Sequence, residues 1–354
     1  MAVYNLGLFF ALPIGFYVNG LMLKKIRITW LHLDGLIISV MSVLAVIFFS
    51  TSSSWHLFIY GCIFGLGSGL YWANRNFLTF QETQSSHRNY FFSIITVVES
   101  LISLVVTFLA GWLIVFGEYS HLYAPTIAYW IFGFLALVVS LVAGLIILNK
   151  DYQSPPITQI AKCRISRRWN KVRAIMFNIG LLEGIMFFLP TLLILLYLGK
   201  EGILGTITTI VTLFTAAITY IYGRKSKGSH RRPIFFISLI IYIFLSILLV
   251  SLDQPLNIII FVLFAGVIKV FQWLTLNPEL LDLMDNEINN EYDNRYTLIF
   301  DREVFLNIGR ILSVLVLFFI IYATSPQIGL LFTPLILGVS KLILMFLVWK
   351  KNII

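Results

Sequence analysis

Long apolar runs dominate the chain and limit the folds it can adopt. Eleven runs of about 20 mainly apolar residues follow one another, and a helix of that length crosses the hydrocarbon core of a bilayer. Only 12% of the residues are charged, roughly half the fraction found in a soluble domain. The short alternating segments of barrel strands are missing, so only helices can satisfy the backbone in lipid. The sequence therefore predicts an all-α integral membrane protein with about 11 transmembrane helices.

The loops between these runs differ in charge. The predicted spans are residues 4–22, 30–50, 55–80, 89–116, 122–149, 172–197, 202–223, 231–252, 255–278, 296–324 and 328–349. Alternate loops hold nearly all the loop lysines and arginines, whereas the opposite loops hold only Lys200. Basic loops stay in the cytoplasm. We therefore expect a multi-pass protein of a plasma membrane, of the bacterial inner-membrane type, with a cytoplasmic C-terminus and an external N-terminus.

The two halves of the chain can be aligned with each other, and their helix boundaries agree. The matching residues are Gly65, Trp72, Asn76 and Arg88 with Gly266, Trp273, Asn277 and Arg295. Span 172–197 has no partner in the first half. We expect two pseudo-symmetric helical bundles, five plus six, from a six-plus-six plan whose first helix is absent. The predicted division is an N-terminal bundle at 1–149, a basic cytoplasmic linker at 150–173 and a C-terminal six-helix bundle at 174–354.

Two six-helix halves joined by a basic central linker resemble the major facilitator superfamily over the whole chain. That family carries a Gly-xxx-Asp-Arg signature after its second helix. Here Gly15 is followed by Asn19 in place of the aspartate, and then by Lys24 and Lys25. The resemblance implies a transporter whose halves surround a central cavity. By position, spans 55–80, 172–197 and 255–278 would line this cavity, flanked by 89–116 and 296–324.

One span carries a stripe of polar side chains. Ionisable groups are costly at membrane depth, so they usually face the bundle interior and have a task. In span 296–324, Glu303, Asn307 and Arg310 share one helical face. Glu303 is a candidate proton-coupling residue, and Asn307 and Arg310 are candidates for substrate binding. The alternative is a buried Glu303–Arg310 pair that only holds helices together, although two turns of separation predict poor contact.

Two further carboxylates are candidates for proton coupling. Glu99 lies beside the repeat equivalent of this polar stripe, and Glu183 lies near the middle of span 172–197. Of the two, Glu99 is favoured. Asn178, on the same helix as Glu183, is a candidate substrate-binding residue. The alternative for each carboxylate is a neutral acid that hydrogen-bonds to a neighbouring helix.

Cationic and aromatic side chains give the predicted cavity its character. Arg75 and Lys269, together with Arg310, suit a carboxylate or phosphate group through charge-assisted hydrogen bonds. The remaining substrate-binding candidates are Trp72, Asn76, Gln272 and Trp273. Alternatively, Arg75 reaches the cytoplasmic interface and both tryptophans are packing residues. Lys341 lies in a span expected to face lipid and receives no assignment.

The charged residues near the predicted cytoplasmic ends allow two further interpretations. Asp301 and Arg302 are close enough to the membrane edge to extend toward water. The acidic stretch from Glu279 to Asp293 is the exception among the basic loops. Our hypothesis is that it pairs with the basic loops at 164–173 or 224–232 and holds the inward gate shut.

Together, these features predict a secondary active transporter, a symporter or antiporter. It would move a small polar or anionic solute by alternating access, coupled to protons or another ion. The glycine-rich segment 65–69 predicts close helix packing and not phosphate binding. No residue pattern supports an enzyme, and we expect a monomer in the lipid bilayer without cofactor, metal or nucleic acid. The alternatives are an exporter or flippase of amphiphilic compounds, and a non-transporting assembly factor or receptor.

Overall fold

The computed structural model is built from α-helices joined by short connections. It describes residues 1–49, 53–154, 169–198, 201–226, 228–251, 255–288 and 295–350, with positions 157, 160 and 166. The helices are α1 (Ala2–Met22), α2 (Ile28–Phe49), α3 (Ser54–Glu82), α4 (Arg88–Ser120), α5 (Pro125–Leu148), α6 (Trp169–Met186), α7 (Leu189–Leu198), α8 (Glu201–Lys225), α9 (Arg231–Ser251), α10 (Pro255–Ile288), α11 (Arg295–Ala323) and α12 (Pro326–Lys350). Arg164, Arg167, Arg168, Lys200 and the segment 289–294, all used in the sequence argument, lie outside the described residues.

Each predicted span contains helix, and α6 and α7 together form one of them. Pro190 lacks the N–H group that would bond to the carbonyl of Met186, so the helix is interrupted at Phe187 and Phe188. Within the described residues, nine spans are long and apolar enough to cross a membrane, and Trp169–Tyr197 is one of them. Helices α3 and α8, with 29 and 25 residues, are also long enough at about 1.5 Å per residue.

Helix α10 is longer than predicted. The sequence placed the end of this span at Pro278, but the helix continues to Ile288 with the proline inside it. The additional turns carry Glu279 and Asp282, which form ion pairs with Arg231 of α9. These ion pairs stabilise the first part of the acidic stretch as a helix, where the sequence predicted a loop.

The chain divides into two compact units, and each draws on both halves of the sequence. Unit 1 comprises Met1–Glu82, Phe116–Gly180 and Met284–Val314. Unit 2 comprises Thr83–Val115, Leu181–Leu283 and Leu315–Ile354. The predicted bundles at 1–149 and 174–354 stay a prediction.

In unit 1, helices α1 and α3 pack against each other at backbone distance along a row of glycines. A Cβ atom added at Gly61 would lie 2.0 Å from the carbonyl oxygen of Tyr4. One added at Gly69 would lie 2.5 Å from the carbonyl oxygen of Leu12. Only glycine permits this approach, which in membrane proteins favours van der Waals packing between helices. The glycine-rich segment therefore packs two helices, as predicted.

In unit 2, helix α9 packs against α12 around a buried tyrosine. The hydroxyl of Tyr242 donates to the Sδ atom of Met186 at 3.7 Å. A Cβ atom added at Gly338 of α12 would lie 3.1 Å from the Tyr242 ring. The tyrosine thus links the end of α6 to α9 and α12.

Replacing Gly61 by alanine should destabilise unit 1. The new methyl group would overlap the backbone of α1, and overpacking of this kind costs about 1–3 kcal/mol. Gly111→Ala on α4 is the matched control, because a Cβ atom there meets nothing within 4 Å. Alanine is also the better helix former, so the control should be neutral or slightly more stable. Thermal unfolding in detergent measures both variants, and equal midpoints would contradict the proposed packing.

Candidate functional site

Glu303, Asn307 and Arg310 form one hydrogen-bonded cluster on α11 in unit 1. The Oε1 atom of Glu303 accepts hydrogen bonds from Asn307 Nδ2 at 3.0 Å and from Arg310 Nη1 at 3.4 Å. Arg310 Nη1 also donates to Asn307 Oδ1 at 3.1 Å, and all three side chains are buried. The expectation of poor contact between Glu303 and Arg310 is therefore wrong. Long side chains lean toward the helix N-terminus, which brings the guanidinium back to Glu303.

This cluster, which we call the α11 stripe, packs against α1 and α6 of the same unit. The Arg310 guanidinium lies 5.5 Å from the centroid of the Phe9 ring on α1. A Cβ atom added at Gly180 of α6 would lie 2.0 Å from the carbonyl oxygen of Leu306, so glycine is needed for this approach. Asn178 is also on α6 and is fully buried. The Glu303–Arg310 ion pair joins two residues of the same helix, so the pair itself does not hold two helices together.

The predicted residues on α3 are more accessible than the α11 stripe. The Arg75 guanidinium lies 4.6 Å over the Trp72 ring, and this tryptophan is exposed. Asn76 is half-buried. Arg75 therefore stacks on an aromatic ring of its own helix, a contact typical of a solvent-accessible or ligand-accessible surface.

A second polar network in unit 1 joins Asn19, Asn74 and Tyr296. The two asparagine amides exchange hydrogen bonds of 2.8 and 3.0 Å. Asn19 Nδ2 also donates to the Tyr296 hydroxyl at 2.9 Å, and that hydroxyl donates to the carbonyl oxygen of Phe16 at 2.6 Å. All three side chains are buried. The position at which the family signature has aspartate thus holds a neutral amide with hydrogen-bond partners.

Unit 2 contains a polar cluster on α6, α10 and α12. The indole N–H of Trp273 donates to Glu183 Oε1 at 2.9 Å. The ammonium of Lys341 donates to Gln272 Oε1 at 2.6 Å. Three of these residues were predicted site residues, and Lys341 is the member that sequence reasoning missed.

The position of Lys341 follows from the periodicity of α12. Thr333, Leu337 and Lys341 recur every four residues and are all buried, whereas Ile336 and Ile343 are exposed. The family resemblance places this span against lipid, and the exposed face with Ile336 and Ile343 agrees with that placement. The spacing from Thr333 to Lys341 was the signal in the sequence that could have revealed an inward face.

Two predicted residues of unit 2 lie apart from this cluster. The Lys269 ammonium lies 4.3 Å over the Phe187 ring, at the break between α6 and α7. Glu99 is exposed on α4, whereas Glu183 and Glu303 are buried. Because they are buried, Glu183 and Glu303 are stronger candidates for proton coupling than Glu99, which the sequence favoured over Glu183.

A buried ion-pair network in unit 2 involves the acidic end of α10. Asp282 accepts a hydrogen bond of 2.7 Å from Arg88 and another of 2.7 Å from Arg231. Arg231 Nε also donates to Asn89 Oδ1 at 2.9 Å. The hypothesis that the acidic stretch pairs with basic segments agrees with these contacts, and Arg88 proves to be buried and not a solvated loop charge.

The contacts of Asp301 and the burial of Arg302 differ from the interpretation that both side chains extend toward water. Asp301 accepts two hydrogen bonds from Arg173, at 2.7 and 2.8 Å, and one from the Trp169 indole at 2.7 Å. Arg302 is buried. A bidentate arginine is among the strongest partners of a carboxylate, so Asp301 has a binding partner within unit 1.

Charged side chains buried inside membrane-spanning helices are typical of helical membrane transporters. The family model described as "Major Facilitator Superfamily" matches residues 1–292. The chain therefore belongs to the Major Facilitator Superfamily, as the resemblance predicted. Members of this family are transporters and not enzymes, and the predicted all-α membrane fold is confirmed.

Two relatives match the chain in sequence. The uncharacterized protein YqgE of Bacillus subtilis is 25% identical over 355 residues, which cover 98% of this chain and 80% of that protein. A Geobacillus stearothermophilus protein named "Uncharacterized protein in sodM 3'region" is 31% identical over 115 residues, which cover 32% of this chain and 53% of that protein.

Three solved structures illustrate the shared fold. The human organic anion transporter MFSD10 (TETRAN) gives a TM-score of 0.66 at 12% identity and covers 97% of this chain and 82% of its own. The E. coli fucose:proton symporter FucP gives 0.66 at 13%, covering 98% and 90%. A bacterial homologue of the iron transporter ferroportin, in an outward-facing state, gives 0.64 at 13%, covering 98% and 89%. At these identities the likeness shows the fold alone.

Replacing Asp282 by asparagine should destabilise unit 2. Arg88, which is only 2% exposed, would lose its carboxylate partner, and an unpaired buried charge is strongly unfavourable. Because Asp282 is itself partly exposed, we expect a loss of about 1–3 kcal/mol. Arg232→Gln is the control, since Arg232 is exposed and ion pairs at exposed positions contribute about 0–1 kcal/mol. The measurement is the midpoint of thermal unfolding in detergent. An equal decrease of the midpoint in both variants would contradict a structural role for the buried network.

Proposed function

We propose that this protein is a proton-coupled secondary transporter that moves a small polar or anionic solute by alternating access. The observation that carries the proposal is the α11 stripe, a carboxylate, an amide and a guanidinium buried on one face of a 29-residue helix. A buried charge pair contributes little net stability compared with apolar side chains of similar size. Such a cluster inside a membrane-spanning helix therefore supports a role in transport and not in folding.

The geometry of the stripe supports a coupling between proton and solute. Glu303 Oε1 is the acceptor for both Asn307 and Arg310. Protonation of Glu303 would weaken both hydrogen bonds, because charge-assisted bonds are stronger than neutral ones. The amide and the guanidinium would then be available to a polar or anionic group of the solute. Deprotonation would restore the intrahelical cluster and favour release.

The other proposed site residues extend this scheme in each unit. In unit 1, Trp72, Arg75, Asn76 and Asn178 would contribute to solute binding. In unit 2, Lys269, Gln272 and Trp273 would do so, and Glu183 and Glu99 are the further candidates for proton coupling. Among the carboxylates we rank Glu303 and Glu183 above Glu99 because they are buried. Two structural neighbours are described as an organic anion transporter and as a fucose:proton symporter. Their low identity leaves the solute to be determined by experiment.

Proton flux into proteoliposomes tests the coupling. Vesicles loaded with pyranine would be given lactate, succinate, phosphate or fucose, and internal acidification would be recorded. We expect acidification with at least one of these solutes, reduced by about tenfold or more in Glu303→Gln, which corresponds to at least about 1.4 kcal/mol. Glu82→Gln is the control, since Glu82 is exposed at the end of α3.

Each alternative outcome has a definite meaning. Equal flux in Glu303→Gln and wild type would leave a transporter and remove Glu303 as the coupling residue. The same assay with Glu183→Gln and Glu99→Gln would then identify the carboxylate in use. If a stably folded wild type gave no internal acidification with any of these solutes, the proposal would be rejected. An exporter or flippase of amphiphiles, or a non-transporting role, would then be favoured.

We also propose that the protein lies in a bacterial cell membrane with its basic loops and C-terminus in the cytoplasm. The asymmetry of loop charge supports this orientation. A C-terminal green fluorescent protein fusion should fluoresce, and a C-terminal alkaline phosphatase fusion should be inactive, because the first folds only in the cytoplasm and the second only outside it. The reverse pattern would place the C-terminus outside and contradict the orientation.

A further inference from the structure

Lys341 is a fully buried lysine in the middle of α12. The same helix face carries Thr333 and Leu337, which are also buried. A charged group this deep in a membrane-spanning helix is expensive and usually functional. The proposed function so far assigns no role to it.

The surroundings of Lys341 provide a hydrogen-bond acceptor, an aromatic ring and an unused donor. Its ammonium donates to Gln272 Oε1 at 2.6 Å and lies 5.6 Å from the Phe235 ring centroid. Within the described part of the chain, Gln272 Nε2 is buried without a hydrogen-bond partner. A buried donor left unsatisfied costs about 1–3 kcal/mol, so such groups usually have a ligand in some state of the protein.

Glu183 supplies the opposite charge. It interacts electrostatically with Lys341 and accepts the hydrogen bond of Trp273, the residue next to Gln272. Lys269 lies over Phe187, and the hydroxyl of Tyr242 donates to Met186. Lys341 and Glu183 are thus a buried cation and a buried carboxylate that attract each other within unit 2.

We propose that Lys341 and the amide nitrogen of Gln272 form a carboxylate-binding subsite, for which Glu183 is the internal counter-ion. A carboxylate has two acceptor oxygens, so one can accept from the ammonium and the other from the unused amide N–H. A solute carboxylate would bind here when Glu183 no longer balances Lys341. That last step rests on the proposed transport function, whereas the affinity of the subsite for a carboxylate does not.

Chemical rescue tests the subsite directly. Glu183→Ala removes the carboxylate that attracts Lys341 and shortens the side chain, so the thermal midpoint in detergent should fall. Formate or acetate should restore at least about half of the loss, with a logarithmic dependence on concentration, because a ligand that binds only the folded state stabilises it in this way. Formamide, which has a similar size and no charge, should not restore it.

Two further variants identify the cation that binds the carboxylate. Glu183→Ala combined with Lys341→Met should regain stability without formate, since no uncompensated ammonium remains, and it should lose the response to formate. Glu82→Ala controls for general effects of the salt. Glu183→Gln, which keeps the size of the side chain, provides a second variant if the alanine form is poorly folded, and its midpoint should also rise with formate.

The proposal is overturned if formate raises the midpoint of the Glu183 variants no more than that of Glu82→Ala. It is equally overturned if the response persists after Lys341→Met. The readout is binding in detergent, so a silent transport assay would not change a positive result. Conversely, an absence of rescue would remove this subsite and leave proton-coupled transport through the α11 stripe to be judged by its own assay.

Discussion

Charge placed inside an apolar bundle must be balanced by the protein itself, and both units are arranged around this requirement. In unit 1, Glu303 is the common acceptor for Asn307 and Arg310. In unit 2, Asp282 lies between Arg88 and Arg231. Each of these charges therefore has a partner at hydrogen-bond distance. In unit 2 these ion pairs join α10 to α4 and α9, whereas in unit 1 they orient side chains of a single helix.

Most of the fold could be predicted from the sequence because the bilayer imposes length and composition on each helix. Each predicted span contains helix, and nine spans in the described residues are long and apolar enough to cross a membrane. The row of glycines in α3 indicated close packing with another helix. The end of α10 could not be located in this way. Pro278 and the acidic residues after it are signals for a loop, and the partners that keep the segment helical come from α4 and α9, far away in sequence.

The sequence grouped candidate site residues with each other only where they lie on one helix, whereas Glu183 on α6 and Trp273 on α10 were predicted without their contact. The α11 stripe was visible because Glu303, Asn307 and Arg310 follow the helical period. The network of Asn19, Asn74 and Tyr296 was not visible, because its members come from α1, α3 and α11. Lys341 was missed for a different reason. The family resemblance places its helix against lipid, whereas the buried period from Thr333 to Lys341 gives that helix an inward face.

The network of Asn19, Asn74 and Tyr296 has a consequence for the energetics of the protein. Its hydrogen bonds join neutral groups, so dissolved ions do not screen them as they screen exposed charges. Separating these three side chains moves no charge of their own through the electric field of the membrane. Where the family signature has an aspartate, this chain thus makes a contact whose strength is independent of membrane voltage and ionic strength.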